Sequence, residues 1–361
     1  MSRRLGILGG GQLGRMLALA AHPLGVSVVV VDPSDHCPAR VVAEHIQCAF
    51  DDESGLRGLA GCDWVTFEFE NVPDTAASQL ACQGPVYPPV EALRLAQDRW
   101  VEKNMFQTLG ISTTPFARVD DLNDAQAAFD ELGPMILKTR RLGYDGKGQA
   151  VVRHANELAS KFALLDGAPA IAEQIVPFER ELSLVVCRSQ RGELAFYPLV
   201  ENIHRHGILR TTLAPAPQIS DSLRRAAETA ATVLVEHLNY VGVLALELFC
   251  IGEQLLANEF APRVHNSGHW TIEGAFTSQF ENHVRAVSGM PLGSTRARSA
   301  AVMTNLIGQV PEANQILAIE GTHLHDYGKS ARNGRKVGHV TILGATLAEA
   351  MARTEQLESL L

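Results

Sequence analysis

Apolar segments alternate with amphipathic ones along the first part of the chain. Residues 4–8 and 26–31 are apolar enough for buried strands, and residues 12–22 between them have the spacing of an amphipathic helix. A capped helix is predicted over 51–60 and a further strand over 63–67. Strands that alternate with helices in this way are typical of a parallel sheet, so we predict an α/β fold.

Breaks in the pattern divide the rest of the chain. Prolines 85, 88 and 89 precede a helix at 90–96, and we place the first domain boundary near residue 97. Helices are then predicted over 98–109, 124–132, 156–164, 221–238 and 279–288, and strands over 135–138, 149–153, 170–176 and 182–187. After a second break at 289–294, the pattern predicts strands at 301–306, 323–326 and 337–343 and a closing helix from Thr346.

Residues 244–261 form two apolar runs around a glycine turn, which predicts a β-hairpin. Each run contains a carboxylate where a buried strand should have none, Glu247 in the first and Glu259 in the second. Paired antiparallel strands can bring both side chains to one face, where their charges repel. A divalent cation held jointly with phosphate oxygens removes this repulsion. We therefore interpret the pair as a Mg²⁺ site, with two half-exposed glutamates on an edge strand as the alternative.

A glycine loop joins the first strand to the first helix. Gly9, Gly11 and Gly14 stand in a G-x-G-x-x-G frame, in which glycines let the backbone approach a ligand and the helix N-terminus faces an anion. The frame favours a nicotinamide cofactor with Asp32 on its ribose, or else a tight turn without a ligand. A later strand ends in two acids, Glu68 and Glu70, at the sheet edge where ligands collect in open α/β folds; the alternative is a solvated strand end.

Two glycine-rich segments carry clustered positive charge. Residues 140–149 have the composition of a mobile flap over phosphates, although Gly148 after Lys147 excludes a Walker A motif. Lys138 ends the apolar strand before this flap, where an unpaired ammonium is unfavourable. Residues 329–336 contain four basic residues and predict an anion clamp on a hairpin. For both segments the alternative is a solvated hairpin.

The segments after the flap predict a nucleotide-binding edge. The strand end at 173–176 is expected to expose backbone groups that can pair with an adenine edge, and Glu181 can bind ribose hydroxyls. Residues 202–206 indicate a polar bend between strands, so His204 is expected to be an exposed loop histidine.

The composition excludes several classes of protein. The chain has 361 residues, of which 46% are hydrophobic and 20% charged, as in a globular protein of two or three domains. A net charge of −9 without a basic block argues against a nucleic-acid partner. No apolar run is long enough for a membrane span, and the apolar N-terminal segment is too short for a signal peptide. The six cysteines form no Cys-x-x-Cys pair, so we expect reduced thiols in a cytoplasmic protein.

Taken together, these segments resemble the ATP-grasp superfamily of carboxylate–amine ligases. The motifs are Gly-Gly-Gly-Gln-Leu-Gly-Arg-Met at 9–16, Thr-Phe-Glu-Phe-Glu-Asn at 66–71, Gly-Tyr-Asp-Gly-Lys-Gly-Gln at 143–149, Tyr-Pro-Leu-Val-Glu-Asn-Ile-His at 197–204, Asn-Glu-Phe-Ala-Pro-Arg-Val-His-Asn-Ser-Gly-His-Trp at 258–270, and Gly-Arg-Lys-Val-Gly-His at 334–339. The motifs at 143–149 and 258–270 are specific, whereas the first glycine loop is not. Within the superfamily, the chain most resembles the purine-biosynthesis enzymes that carboxylate 5-aminoimidazole ribonucleotide.

The resemblance implies a fold and a reaction. The fold is a mixed α/β ATP-grasp fold with a Rossmann-like pre-ATP-grasp domain at 1–97, an ATP-grasp domain at 98–293 with a small lid at about 115–175, and a C-terminal domain at 294–361. In the reaction, ATP and bicarbonate give carboxyphosphate, which carboxylates the exocyclic amine of the nucleotide and leaves ADP and phosphate. The resemblance also implies Mg²⁺, with Mn²⁺ as an alternative, and a homodimer.

The resemblance further implies roles for individual residues. ATP would contact Arg99, Lys138, Gly143, Tyr144, Asp145, Gly146, Lys147, Gly148, Gln149, Glu173, Gln174, Ile175, Val176, Glu181, His204, Asn258 and Glu259. The nucleotide substrate would contact Gln12, Leu13, Glu68, Asn266, Lys329, Arg335 and Lys336. The metal would lie on Glu247 and Glu259, and catalysis would involve Asp145, Lys329, Arg263 and His265.

Three alternatives differ in substrate or class. A formate-using glycinamide ribonucleotide transformylase would share the fold, but its flap resembles Ser-Ser-Gly-Lys-Gly-Gln and its loop Pro-Arg-Pro-His-Asp-Thr-Gly, unlike the segments here. A nicotinamide-dependent oxidoreductase built on residues 1–97 leaves the flap, the glutamate pair and the basic hairpin unexplained. A non-catalytic nucleotide-binding regulator would not need the complete set of metal and phosphate residues.

Overall fold

A computed structural model describes residues 3–143 and 147–361. In this part of the chain the strands form three sheets, which meet around one cavity. None of the helices in the same residues has both the length and the apolar character that crossing a membrane requires.

The N-terminal sheet is parallel and has the strand order β3-β2-β1-β4. Its strands are β1 (Arg3–Leu8), β2 (Val26–Val31), β3 (Glu44–Ile46) and β4 (Trp64–Phe67). The helices of this region are α1 (Gln12–Ala21), α2 (Glu53–Ala60), α3 (Asp74–Ala81) and α4 (Val90–Ala96). Helix α2 begins where the Asp52 carboxylate accepts the N–H of Ser54 at 2.8 Å, which is the capping that its sequence predicts.

A small antiparallel sheet with the order β5-β8-β6-β7 follows after helix α5 (Arg99–Thr108). Its strands are β5 (Phe116–Val119), β6 (Met135–Thr139), β7 (Gln149–Val152) and β8 (Ala170–Gln174). Helices α6 (Leu122–Leu132) and α7 (Leu158–Ala163) pack on it around a separate apolar core. We call this unit the lid sheet, since it occupies the range in which the sequence predicts a lid.

The central sheet is antiparallel and has the order β14-β13-β9-β11-β12-β15-β17-β16, with β10 beside β9. Its strands are β9 (Arg180–Arg188), β10 (Leu194–Phe196), β11 (Val200–Arg205), β12 (Ile208–Ala214), β13 (Gly242–Ile251), β14 (Gln254–Ala261), β15 (Ala300–Ile307), β16 (Thr322–Asp326) and β17 (Lys336–Gly344). Its helices are α8 (Asp221–His237), α9 (Thr271–Gly274), α10 (Gln279–Val287), α11 (Ala313–Leu317) and α12 (Leu347–Glu358).

The C-terminal residues continue this central sheet. Strand β15 pairs with β12 through residues such as Thr211 and Thr304, so the predicted boundary at 294 does not coincide with a break in the sheet. The domain boundaries at 97, 293 and 294 stay predictions.

A buried histidine connects the N-terminal sheet to the central one. His283 on α10 accepts the N–H of Val243 on β13 through Nδ1 at 3.1 Å, and its Nε2 lies 2.9 Å from the hydroxyl of Thr66 on β4. Burial lowers the pKa of His283 to about 3, so the ring is neutral and Nε2 carries its proton. The first helix also packs against α10, and one apolar core includes Leu5, Val243 and Phe280. The two sheets therefore form one packed body.

The bend predicted at 202–206 is wrong over most of its length. Residues up to Arg205 belong to strand β11, and His204 lies half-buried on that strand instead of in an exposed loop. The polar pattern is misleading because Asn202 is buried with partners for both ends of its side-chain amide: the nitrogen donates to the Ser183 hydroxyl at 2.6 Å, and the oxygen accepts from the Thr212 hydroxyl at 2.9 Å.

Candidate active site

A cavity of about 860 Å³ lies where the three sheets meet. Its wall includes Gln12 from the N-terminal region, Lys138 from the lid sheet, Glu247 and Glu259 from the central sheet, and Lys329 from the loop between β16 and β17. Segments that are far apart in the sequence thus contribute polar side chains to one space.

The glutamate pair lies on neighbouring strands. Glu247 on β13 and Glu259 on β14 are direct register partners, with a bulge immediately after Glu247. Burial, and then the charge of Glu259, raise the pKa of Glu247 to about 8. His265 Nε2 lies 3.1 Å from Glu247 Oε1, and Arg99 Nη2 lies 3.8 Å from Glu259 Oε2. The hairpin thus holds two carboxylates so close that their negative charges repel each other.

This donor set fits a hard divalent cation. Carboxylate oxygens are the ligands that Mg²⁺ prefers, and a cation between the two carboxylates would relieve the repulsion that raises the pKa of Glu247. In residues 3–143 and 147–361 no group of three or more His, Cys, Asp or Glu side chains is placed to hold a metal ion by itself. The remaining ligands would therefore come from water or from phosphate oxygens, as is usual for Mg²⁺ with nucleotides.

The lysine at the end of β6 is held by a carboxylate. Lys138 Nζ lies 3.0 Å from Glu173 Oε1 on β8, and Lys103 Nζ on α5 lies 3.3 Å from Glu173 Oε2. Burial alone would raise the pKa of Glu173, but Lys138 and Lys103 together lower it to about 2. Of these three residues only Lys138 lines the cavity, so Glu173 is a counter-ion behind Lys138 and does not itself face the cavity.

The predicted ATP set comes from helix α5, the lid sheet with the loop beside it, and the central sheet. Arg99 donates to the carbonyl of Gly143 at 2.9 Å, and His204 Nδ1 lies 3.0 Å from Glu181 Oε2. The members of this set that line the cavity are Arg99, Lys138, Gly143, Lys147, Gly148, Gln149, Glu181, His204, Asn258 and Glu259. Tyr144, Asp145 and Gly146 lie outside the described residues.

The strand end at 173–176 is less open than its sequence predicts. The N–H of Gln174 donates to the Pro115 carbonyl, and that of Ile175 to the Pro134 carbonyl, each at 2.9 Å. Glu173, Gln174, Ile175 and Val176 are also absent from the cavity wall. Two of the backbone donors expected to face an adenine are thus already used inside the protein, because the start of β5 and the start of β6 pack against this strand end.

The Glu68 carboxylate binds N–H groups of the glycine loop. Glu68 accepts the N–H of Gly11 at 2.6 Å and that of Gly14 at 2.8 Å, at the N-terminus of α1. A Cβ atom at Gly11 would lie 2.4 Å from a Glu68 oxygen, so glycine is required for this close approach. Glu68 stands where a dinucleotide's pyrophosphate would bind, and this geometry argues against the nicotinamide cofactor.

The predicted nucleotide-substrate residues border this loop. Lys329 Nζ donates to Gln12 Oε1, and the two residues connect the C-terminal hairpin to the glycine loop. Burial lowers the pKa of Lys329 to about 8, an effect that the nearby Glu68 charge opposes. All seven members of this set line the cavity: Gln12, Leu13, Glu68, Asn266, Lys329, Arg335 and Lys336.

Two further predicted residues lie between the glutamate pair and the glycine loop. Arg263 pairs with Glu70, and the Arg263 charge lowers the pKa of Glu70 although burial alone would raise it. Burial, followed by the Arg263 charge, lowers the pKa of His265 well below its usual value. His265 is therefore a neutral ring beside a fixed cation, and both line the cavity.

Family models match three consecutive parts of the chain. Residues 1–97 match the ribonucleotide synthetase preATP-grasp domain, residues 104–280 the ATP-grasp domain, and residues 301–353 the phosphoribosylaminoimidazole carboxylase C-terminal domain. The chain is also 50% identical over 360 residues to N5-carboxyaminoimidazole ribonucleotide synthase of Pseudomonas aeruginosa, covering 99% of both chains. The chain belongs to the N5-carboxyaminoimidazole ribonucleotide synthase family.

Solved structures of this synthase family have the same fold. The N5-carboxyaminoimidazole ribonucleotide synthetase of Thermus thermophilus is 53% identical and superimposes with a TM-score of 0.95, over 99% of this chain and 98% of that one. The synthase of Aspergillus clavatus, in complex with ADP and 5-aminoimidazole ribonucleotide, is 31% identical with a TM-score of 0.93, over 99% and 98% of the two chains. The family and the ATP-grasp fold predicted from the sequence are thereby confirmed.

Some residues of the synthase site were not predicted. Glu102 accepts the N–H of Phe260 at 2.7 Å beside Glu259, and Phe178 stacks on Phe249 at 4.5 Å in the cavity wall. For Glu102 the sequence offers one signal. Glu102 lies four positions before Phe106 and Lys103 three positions before it, so both lie on the same buried face of α5 as Phe106. The aromatic pair gave no signal, since its partners come from different segments.

Proposed function

We propose that the protein carboxylates the exocyclic amine of 5-aminoimidazole ribonucleotide with ATP and bicarbonate, in de novo purine biosynthesis. The products are N5-carboxyaminoimidazole ribonucleotide, ADP and phosphate. The observation that supports this most strongly is the single cavity, which joins a carboxylate pair, a lid lysine and a basic hairpin. The first two suit a nucleoside triphosphate with its cation, and the third suits a phosphorylated second substrate.

The first step activates bicarbonate. A bicarbonate oxygen attacks the γ-phosphorus of ATP and ADP leaves, which gives carboxyphosphate. Glu247 and Glu259 would hold Mg²⁺, which when bound offsets negative charge on the phosphates, with Mn²⁺ as an alternative. The Lys138 ammonium faces the cavity and adds a fixed positive charge on the lid side.

The second step transfers the carboxyl group. The amine nitrogen attacks the carbon of carboxyphosphate, or of CO₂ released from it, phosphate leaves, and the nitrogen loses a proton. Arg263, fixed by Glu70, provides a cation for the carboxyl oxygens. The neutral His265 beside it accepts the Ser267 N–H through Nδ1 and so donates from Nε2 to the Glu247 carboxylate. Lys329 and the hairpin residues Arg335 and Lys336 would bind the nucleotide substrate. A role for Asp145 stays a prediction.

The test is phosphate release from ATP with each substrate omitted in turn. We expect full release with ATP, bicarbonate and 5-aminoimidazole ribonucleotide together, and little when ATP or bicarbonate is left out. Replacing bicarbonate by formate, and the aminoimidazole nucleotide by glycinamide ribonucleotide, tests the formate-using alternative. Turnover with the formate pair alone would refute the proposal.

We also propose a homodimer in the cytoplasm, as the family resemblance implies. The six cysteines are free thiols in the structure, and this agrees with a reducing compartment. Light scattering of the purified protein measures the mass directly. A monomer at micromolar concentration would contradict the dimer.

A further inference from the structure

Lys103 is a buried lysine that does not reach the reacting groups. It lies on α5, outside the lid sheet, and its side chain is 1% exposed. Its ammonium donates to the Thr113 hydroxyl at 2.8 Å, the Thr114 hydroxyl at 3.4 Å and the Ala257 carbonyl at 3.1 Å. Its charged partner is Glu173 on lid strand β8, at 3.3 Å. Burying an unpaired ammonium is unfavourable, and these partners offset the cost of burying Lys103.

The carboxylate of Glu173 lies between two lysines. Oε2 faces Lys103 and Oε1 faces Lys138 at 3.0 Å, and the Glu173 side chain is 4% exposed. Such a buried carboxylate is stable only with counter-charges, which are supplied here from two sides. Lys138 lies at the cavity, whereas Lys103 lies behind the carboxylate.

This arrangement matters for the charge that Lys138 can offer to a ligand. A lysine that is the sole partner of a buried carboxylate is held against it, and an incoming phosphate must compete for the ammonium. With Lys103 as a second partner, Glu173 is neutralised from behind, and Lys138 can turn its remaining donors towards the cavity.

We propose that Lys103 is a positioning residue that, by sharing the Glu173 carboxylate, leaves the Lys138 ammonium available to the phosphates of ATP. The inference rests on the proposed function in that it takes ATP as the ligand of this cavity. A competing interpretation is that Lys103 only joins α5 and the lid sheet to β14 as a structural contact. The two interpretations differ in what happens when both Lys103 and Glu173 lose their charge.

The test compares Mg-ATP binding by variants that lose the charge at Lys103, at Glu173 or at both. The variants are Lys103→Met, Glu173→Gln and the double variant, with Lys161→Met on lid helix α7 as a matched control. The dissociation constant for Mg-ATP is measured by calorimetry, which does not depend on carboxylation. We expect Lys103→Met to weaken ATP binding about tenfold or more, as loss of a charge-assisted phosphate contact does. We expect the double variant to recover to within about threefold of the wild type, because Lys138 is no longer held by a carboxylate.

Steady-state kinetics give a second readout. The KM for ATP should rise in Lys103→Met while the KM for the aminoimidazole nucleotide stays unchanged, and Lys103→Arg, which keeps the charge, should resemble the wild type. If Lys103→Met does not fold, Lys103→Gln replaces it, since the amide can still donate to the Ala257 carbonyl. A double variant that binds ATP as weakly as Lys103→Met, or more weakly, would overturn the proposal.

The same experiment separates this inference from the proposed function. If the wild type binds Mg-ATP but does not carboxylate the nucleotide, the proposed reaction is wrong and the binding comparison of the Lys103 and Glu173 variants can still be completed. If the wild type does not bind Mg-ATP, both fail together.

Discussion

At the scale of single residues, Glu68 shows how one side chain changes the meaning of a motif. The glycine frame at the start of α1 matches a dinucleotide fingerprint, yet the Glu68 carboxylate accepts two of the N–H groups that such a ligand would use. The sequence could not reveal this, because Glu68 and Gly14 are 54 positions apart and no local pattern records their contact. The sequence thus predicts Glu68 and the glycine loop as parts of a site, but it does not predict that Glu68 binds the N–H groups of the loop.

Lys329 should make substrate binding depend on pH. Its pKa is lowered to about 8 by burial, so it is a cation below that pH and loses its charge above it. We expect the KM for 5-aminoimidazole ribonucleotide to rise about tenfold between pH 7.5 and 9.5 while the KM for ATP changes less. Lys329→Gln should have a high KM that no longer changes over this range. An equal pH dependence in the wild type and this variant would assign the titration to another group.

Glu173 should contribute acid-sensitive stability. Its pKa is lowered from 4.5 to about 2 in the folded protein, so its contribution is complete above about pH 5 and is lost as the pH falls towards 2. The shift corresponds to roughly 3 kcal/mol at neutral pH. We expect the difference in unfolding free energy between the wild type and Glu173→Gln to shrink from pH 6 to pH 3.5, measured by urea denaturation. A constant difference would show that the carboxylate's charge is not the stabilising factor.

At the scale of elements, the hairpin of β13 and β14 was predictable and its neighbour β11 was not. The hairpin has two apolar runs around a glycine turn, so its two strands could be anticipated. The register at the turn would pair Glu247 with Asn258, and the bulge after Glu247, which the sequence does not reveal, brings Glu247 opposite Glu259. Strand β11 has polar residues at successive positions, because Glu201 pairs with Arg180 and the buried Asn202 is hydrogen-bonded to Ser183. Short polar strands of this kind lack the alternation on which sequence-based prediction depends.

The hairpin carboxylates should be needed for phosphoryl transfer. Glu247→Gln and Glu259→Gln each remove one charge from the carboxylate pair, and we expect both to fold and to lose about a hundred- to a thousand-fold in kcat. The control is Glu253→Gln, at the turn of the same hairpin, where the carboxylate accepts hydrogen bonds from Ser220 and Ser222. Melting curves establish folding. Near-normal turnover of both site variants at saturating Mg²⁺ would refute the metal assignment.

The hairpin of β16 and β17 should serve the nucleotide substrate and not ATP. Arg335 lines the cavity, and its charge is close enough to Lys329 to help lower the pKa of that lysine. Arg335→Ala should raise the KM for 5-aminoimidazole ribonucleotide about ten- to a hundred-fold, as loss of a charge-assisted phosphate contact does, with little change for ATP. Arg225→Ala, on the exposed face of α8, is the control. A variant that weakens ATP alone would show that the hairpin binds the other ligand.

At the scale of the whole molecule, the C-terminal residues are part of the central sheet. Strand β15 pairs with β12, and β17 pairs with β15, so residues after 293 complete the sheet. A chain that ends at residue 293 would expose the edge of β12 and part of the main apolar core. We expect this fragment to lack a cooperative thermal transition, as followed by circular dichroism. A folded, ATP-binding fragment would show that the sheet's C-terminal strands are dispensable.

The continuous central sheet has a consequence for reaction rate. Strands β13, β9, β11, β12 and β15 separate Glu259 on β14 from Lys336 on β17, which would be roughly 29 Å in a flat sheet at about 4.8 Å per strand. Both residues line one cavity, and one continuous ladder of backbone hydrogen bonds joins their strands. In the proposed arrangement of ATP and the nucleotide substrate, this ladder fixes the gap between them. The substrate amine would then react with carboxyphosphate at a high effective molarity, because both are held in one cavity at a fixed separation.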